Sequence, residues 1–313
     1  MSYTETTNNS WFSRLGSSIK GILVGFLLFL LSFGLLFWNE GRTVETTKSL
    51  DEGANAVVKL TSAKLNPKYD GKLVYTTGKA DTKEILTDDS FAISVNAIKL
   101  IRTVETYQWS EDVKTETTKE VGGNETTTKR YTYTKIWSKR LIDSSRFKQS
   151  STHQNPTDVI YKNKELVASV VTLGDFQLNS SQINNISSDS LLPISKLPEN
   201  LTSNAKIVNN TIYLSANKNS QTTNIGDQRV SFKVVKPTNI SIIAKQIQNS
   251  FEPYKAKAGG EISLLYPGVV SADAMFKSAQ KENMVLAWIL RFLGFLMTTL
   301  SSSRYIATFG RYS

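Results

Sequence analysis

The chain has 313 residues, enough for one large domain or two of medium size, so core volume is not limiting. It contains no cysteine, which excludes disulfides, thiolate metal sites and cysteine nucleophiles. The net charge of +10 is interspersed along the chain. That pattern fits a solvated surface rather than a nucleic-acid groove, so no nucleic-acid partner is expected.

Residues 1–20 read as a short polar tail. From Gly21 to Trp38 eighteen residues run without a charge. As a helix they would be about 27 Å long, close to the hydrocarbon thickness of a bilayer. Lys20 precedes the run and Trp38 stands where an interfacial aromatic is expected. The run is too long for the core of a signal peptide, and no small-residue cleavage site follows it. Residues 21–38 are therefore predicted to be a retained transmembrane helix. Within it Gly21, Gly25 and Gly34 are candidates for close helix packing, because small residues four apart let helix backbones approach.

The next 245 residues, 39–283, are predicted to form one extramembrane domain. Leu50, Ala54, Val57 and Val58 have helical spacing and suggest a short amphipathic helix just past the span. Strand character then takes over, at 73–77 and at 91–100. Tyr107, Trp109 and Val113 alternate on one predicted arm of a hairpin, and Tyr131, Tyr133 and Trp137 on the other. Gly122-Gly123-Asn124 supplies its turn. All these aromatic positions are odd, so the loop must hold an odd number of residues. A three-residue loop sets Trp109 near Trp137 and leaves the polar tip in water. Residues 179–225, rich in Asn and Ser, read as a long loop. Strands resume at 230–234, 240–244 and 262–266. Ser271 is placed to cap a helix that feeds the second apolar segment.

That segment, taken as 284–306, carries Arg291 and Arg304. An arginine at mid-bilayer is costly, so Arg291 is placed where the helix enters the membrane and Arg304 where it leaves. A buried amphipathic helix of a soluble protein is the alternative for this segment. The basic flanks put both the 1–20 tail and the 307–313 tail in the cytoplasm, and the domain in periplasm or lumen. The fold class is thus an α+β membrane protein, a strand-rich domain flanked by two transmembrane helices.

Several sequence blocks, taken in order, resemble the LUMA family, also called the transmembrane protein 43 family. They are Asn39-Glu40-Gly41-Arg42 at the end of the first span, Gly71-Lys72-Leu73-Val74, and the stretch from Lys99 to Tyr107-Gln108-Trp109. His153-Gln154-Asn155-Pro156, Gly226-Asp227-Gln228-Arg229 and the Trp288, Arg291, Gly294 spacing complete them. In animals the resemblance implies a protein of the endoplasmic reticulum and inner nuclear membrane with a lumenal domain. It also implies a scaffold that associates with lamins and emerin and with copies of itself. A bacterial member would sit in the inner membrane, with a periplasmic domain and unknown partners. Animal members of the family continue with further membrane segments.

Enzyme chemistry finds little support in the residues. His153 is the single histidine, so no multi-histidine metal site can be built, and a backbone-bonded structural role is expected for it. The acidic pairs Asp88-Asp89 and Glu111-Asp112 read as solvated charges, since neighbours on a strand face opposite ways. No catalytic, metal or cofactor residue is assigned. The expected role is a non-enzymatic scaffold, bound to the lipid bilayer and to protein partners and able to form a homo-oligomer. The alternative is a membrane-anchored lipid- or ligand-binding accessory to envelope homeostasis or transport.

Overall fold

The structure is a computed structural model. It describes the backbone of residues 2–9, 11–119, 125–187, 189–199, 201, 205–217 and 222–309, and their side chains outside 8–22, 119, 125 and 302–309. Two long helices dominate one end. Helix α1 spans Trp11–Ala56, α2 is the short Ser180–Asn185, and α3 spans Ala272–Phe309. Helices α1 and α3 each contain a stretch long and apolar enough to cross a bilayer. They flank a strand-rich domain. The short amphipathic helix expected near Leu50 is not separate, because α1 runs unbroken through that region to Ala56.

The strands form two main sheets. The first runs in the order Ser2–Asn9, Glu125–Ser138, Lys99–Lys119, Gln228–Val235, Thr211–Leu214, Ala205–Val208. The second is centred on Thr238–Ile247 and Leu73–Asp81, which pair antiparallel over eight residues. Lys236-Pro237 carries the chain from one sheet to the other, since proline cannot continue the ladder. The main core lies between the sheets. Val74, Ile240, Ile242 and Ala244 of the second meet Leu100, Val104, Val230, Phe232 and Val234 of the first. Phe91, Phe176, Phe232 and Phe251 are fully buried there, and each such side chain contributes about 1.5–3 kcal/mol.

Strand alternation gives the second sheet another apolar face. Leu73 and Ile243, next to Val74 and Ile242 in sequence, pack outward on Leu50, Met275, Phe276 and Ala279 at the domain ends of α1 and α3. The molecule is therefore layered: helices, second sheet, core, first sheet. Gly53 lets α1 lie close on this face, since a Cβ there would stand 2.4 Å from Ile262 Cδ1 and 3.0 Å from Phe276 Cε1. Ser271 caps α3 as expected, its Oγ accepting from the Ala274 N–H at 3.3 Å.

Three local expectations are corrected. The hairpin closes with odd residues facing odd, but Tyr107 faces Trp137 and Trp109 faces Lys135, a shift of two from the expected register. Ring contacts explain the shift. Tyr107 lies 5.2 Å from Trp137, while Trp109 takes the Lys135 ammonium at 4.9 Å and the His153 ring at 4.7 Å. The expected turn at Gly122-Gly123-Asn124 lies outside the described residues. Residues 179–225 are not one loop. Asn179 and Gln182 form a reciprocal capping box on α2. Asn209 and Asn210, at φ 49° and 60°, turn a hairpin between Ala205–Val208 and Thr211–Leu214. The strand expected over 91–100 is interrupted, with Ile93–Asn96 pairing back on Ile85–Asp88 before Lys99 opens the long arm.

The N-terminal tail contributes a strand that its polar sequence did not announce. Ser2–Asn9 pairs antiparallel with 125–132 of the hairpin.

Candidate functional site

Two clusters gather the residues singled out in the sequence. The first is the seam between α1 and α3. Ser301 Oγ donates to the Gly25 carbonyl at 2.8 Å, Thr298 Oγ1 bonds Ser32 Oγ at 3.1 Å, and Asn39 Nδ2 donates to the Ala287 carbonyl at 3.1 Å. Asn283 Nδ2 donates to the Thr43 carbonyl at 3.1 Å. The helices are thus antiparallel. The buried positions Gly25, Ser32 and Asn39 recur every seven residues, as do Ala287, Gly294 and Ser301. A seven-residue period keeps one stripe on the seam, and small side chains on it bring the backbones close. A Cβ at Gly294 would come 2.7 Å from Leu36 Cδ2. Gly25 belongs to this seam, whereas Gly34 faces outward with no neighbour within 4 Å of a Cβ position.

The block Asn39-Glu40-Gly41-Arg42 locks the seam at its domain side. Asn39 is fully buried. Arg42 Nη1 donates to Asn283 Oδ1 at 2.9 Å, and Arg291 grips both Glu40 oxygens at 2.6 and 2.8 Å. The Arg291 guanidinium also lies 4.9 Å from the Trp288 ring. A bidentate partner leaves no net charge where Arg291 meets the apolar belt, which lowers the cost of holding it there. Gly41 and Trp38 are exposed. The side chains of Lys20 and Arg304 lie outside the described residues.

The second cluster is the aromatic base of the hairpin. Asn155 crosslinks it. Its Oδ1 accepts from the Trp109 N–H at 2.7 Å, and its Nδ2 donates to the carbonyls of Trp109 at 2.9 Å and Ile142 at 3.1 Å. Gln108 does the same one residue earlier, donating to the Arg140 carbonyl and accepting from the Ile142 N–H. Pro156 follows as a stiff end to this loop. His153 is buried, stacked 3.9 Å from the Tyr133 ring, with Nδ1 3.2 Å from the Gln149 carbonyl. Tyr133 Oη donates to Glu111 at 2.6 Å, and Glu111 also accepts from the Lys148 N–H at 2.7 Å. Glu111 is therefore a bonded strut, not a solvated charge.

Burial, and then the Glu111 carboxylate beside it, push the Tyr133 hydroxyl up to about 12. The unfolded chain would lose that proton near pH 10 while the fold keeps it. Stability is thus complete below pH 10 and falls as the pH rises toward 12. Tyr266, bonded to Glu282 and likewise raised to about 12, adds a second contribution. Urea midpoints measured from pH 9 to 12 should fall, and Tyr133→Phe should reduce the slope without removing it.

Gly226-Asp227-Gln228-Arg229 closes the other flank of the base. Gly226, at φ 96°, turns the chain so that Gly226 and Asp227 exchange backbone bonds with Tyr107. Asp227 accepts from the N–H groups of Ala216 and Asn224. Arg229 pairs with Glu105 and covers the Trp137 ring at 4.7 Å. A depression of about 580 Å3 lies beside the base, lined by Ser144, Ser150, Gln154 and Asn155 together with the apolar Leu141, Ile142 and Pro156. Among the described residues no three His, Asp or Glu side chains converge as a metal site would require.

The sequence reading missed one buried ion pair. Asp88 was expected to be solvated, yet it is buried and accepts two 2.8 Å bonds from Arg102 Nη1. Arg102 also donates to the Lys162 carbonyl at 3.0 Å and faces the Phe91 ring.

The family profile described as Transmembrane protein 43 matches residues 106–309, which hold the hairpin base, the strand Thr238–Ile247 of the second sheet and the whole of α3. The mouse protein named Transmembrane protein 43 is 31% identical over 304 residues, covering 94% of this chain and 75% of its own. The human protein of that name is 31% identical over 294 residues, covering 90% and 72%. This chain belongs to the transmembrane protein 43 family. A Drosophila melanogaster protein named Transmembrane protein 43 homolog is 29% identical, covering 88% of the chain and 73% of its own. No solved structure matches. With the family shown and two apolar helices in place, the chain is an integral membrane protein of the transmembrane protein 43 family.

Proposed function

We propose that this transmembrane protein 43 family member is a non-enzymatic scaffold. Residues 39–283 lie on the extracytoplasmic side, in a lumen or periplasm, and the 1–20 and 307–313 tails are cytoplasmic. One observation carries the reading. The family-block residues Gln108, His153, Asp227 and Arg229 bond to or pack on the protein's own backbone and rings, and Asn155, though it borders the depression beside the hairpin base, spends its side-chain amide on three backbone bonds. Such residues hold a shape, and a held shape serves recognition. The α1–α3 seam mounts that shape firmly on the membrane. The partners are proteins of the same membrane, including further copies of the chain. In animals the compartment would be the endoplasmic reticulum and inner nuclear membrane.

Crosslinking in native membranes followed by mass spectrometry tests this. The scaffold reading expects crosslinks from the domain to other proteins or to a second copy. Recovery of monomer alone, with co-purified lipid, would favour the lipid-binding alternative.

A further inference from the structure

The strand Ser2–Asn9 and the membrane helices make competing demands. Asn9 is paired with Glu125, and α1 begins two residues later at Trp11, so the far end of α1 follows directly on the last described pair of the hairpin, Lys119 with Glu125. The hairpin returns to the domain over fourteen paired residues, from Lys119 to Thr106, about 45 Å of strand. From the same end, α1 covers a similar length through its apolar stretch, at about 1.5 Å per residue. A ribbon that stayed paired to residues 2–9 would therefore have to pass the apolar belt to reach the domain. Lys114, Glu116, Lys129 and Arg130 stand exposed on it. Neither an open sheet edge nor such charges can sit in hydrocarbon. Once α1 crosses a bilayer, residues 2–9 and the hairpin are on opposite sides, and the chain's own strand is withdrawn.

What is left is an edge with a defined preference. The tail strand shows what fits: Glu5 lies opposite Lys129, bonds Lys148 Nζ at 2.9 Å and accepts from Tyr131 Oη at 3.3 Å. Tyr3 lies 6.0 Å from the Tyr131 ring. We propose that in the membrane-inserted protein the 125–132 edge is a strand-docking site for an extended partner segment carrying an aromatic residue two places before a carboxylate. Backbone ladder bonds supply affinity, and Lys129, Lys148 and Tyr131 supply selectivity. The inference rests on the topology given under Proposed function.

The test uses the full chain in lipid nanodiscs and a synthetic peptide of residues 2–9. Saturable binding is expected, at least roughly tenfold weaker for the Glu5→Lys peptide, the order of one charge-assisted contact. On the Lys148→Glu chain the preference should reverse, which a misfolded variant could not mimic. Absence of binding by the unmodified peptide would overturn docking and leave the topology standing. Because the chain has no native cysteine, a Thr7→Cys, Thr127→Cys double variant reports the alternative cleanly. An intramolecular disulfide formed in intact membranes would show the chain's own strand on the edge, and would overturn docking and topology together.

Discussion

Asp88→Ala is expected to destabilise the extramembrane domain by about 3–5 kcal/mol, because it leaves the Arg102 charge buried without its partner. The Arg102 side chain is 8% exposed and that of Asp88 1%. One remaining bond to the Lys162 carbonyl and the face of Phe91 cannot replace a carboxylate. Against a typical domain stability of about 5–15 kcal/mol, the loss approaches unfolding. Urea denaturation followed by the fluorescence of Trp109 and Trp137 would measure it. The pair itself need not be a net stabiliser. Asp88→Leu combined with Arg102→Met should recover most of the loss, since apolar replacements of a buried pair are often neutral or better. A double variant as weak as Asp88→Ala would mean that the site needs the ion pair for its geometry.

Gly294→Ile is expected to open the helix seam. The added side chain must occupy space held by Leu36, whose Cδ2 and Cγ would lie 2.7 and 2.8 Å from a Cβ placed on Gly294. Overpacking of this kind costs about 1–3 kcal/mol, concentrated on the contact between α1 and α3. The readout is a disulfide between Gly25→Cys and Ser301→Cys, which the observed 2.8 Å contact places within reach of each other. Its yield should drop sharply with Gly294→Ile and return when Leu36→Ala makes room. Gly34→Ile is the control. Gly34 faces outward, so the yield should not change.

The apolar runs made both long helices legible, because hydrophobic length alone identifies a candidate span. What the runs could not show was the seam. Gly21 and Gly25 suggest a spacing of four, but the helices pair antiparallel with small residues seven apart. Opposing stripes must be read together before that period emerges. Alternation of Tyr107, Trp109, Tyr131 and Trp137 gave the hairpin and its parity. The register slipped by two because Arg229, His153 and Tyr213, distant in sequence, decide which rings meet. Asn209-Asn210 was a readable turn signal, hidden within an Asn-rich stretch that resembled loop throughout. Asp88 looked like a turn charge, and only the approach of Arg102 from another strand changes its meaning. Asn155 and Asp227 stood out through family resemblance, but their roles as backbone crosslinks follow from tertiary contacts that no local pattern encodes.

The most direct measurement is labelling of single cysteines by a membrane-impermeant maleimide in sealed vesicles. Ser2→Cys reports the tail and Ser151→Cys the hairpin base, each in a chain with no other thiol. One of the two should react from outside, and the other only after the membrane is permeabilised. Reaction of both from the same side of an intact bilayer would contradict the crossing of α1 and with it the placement of the domain.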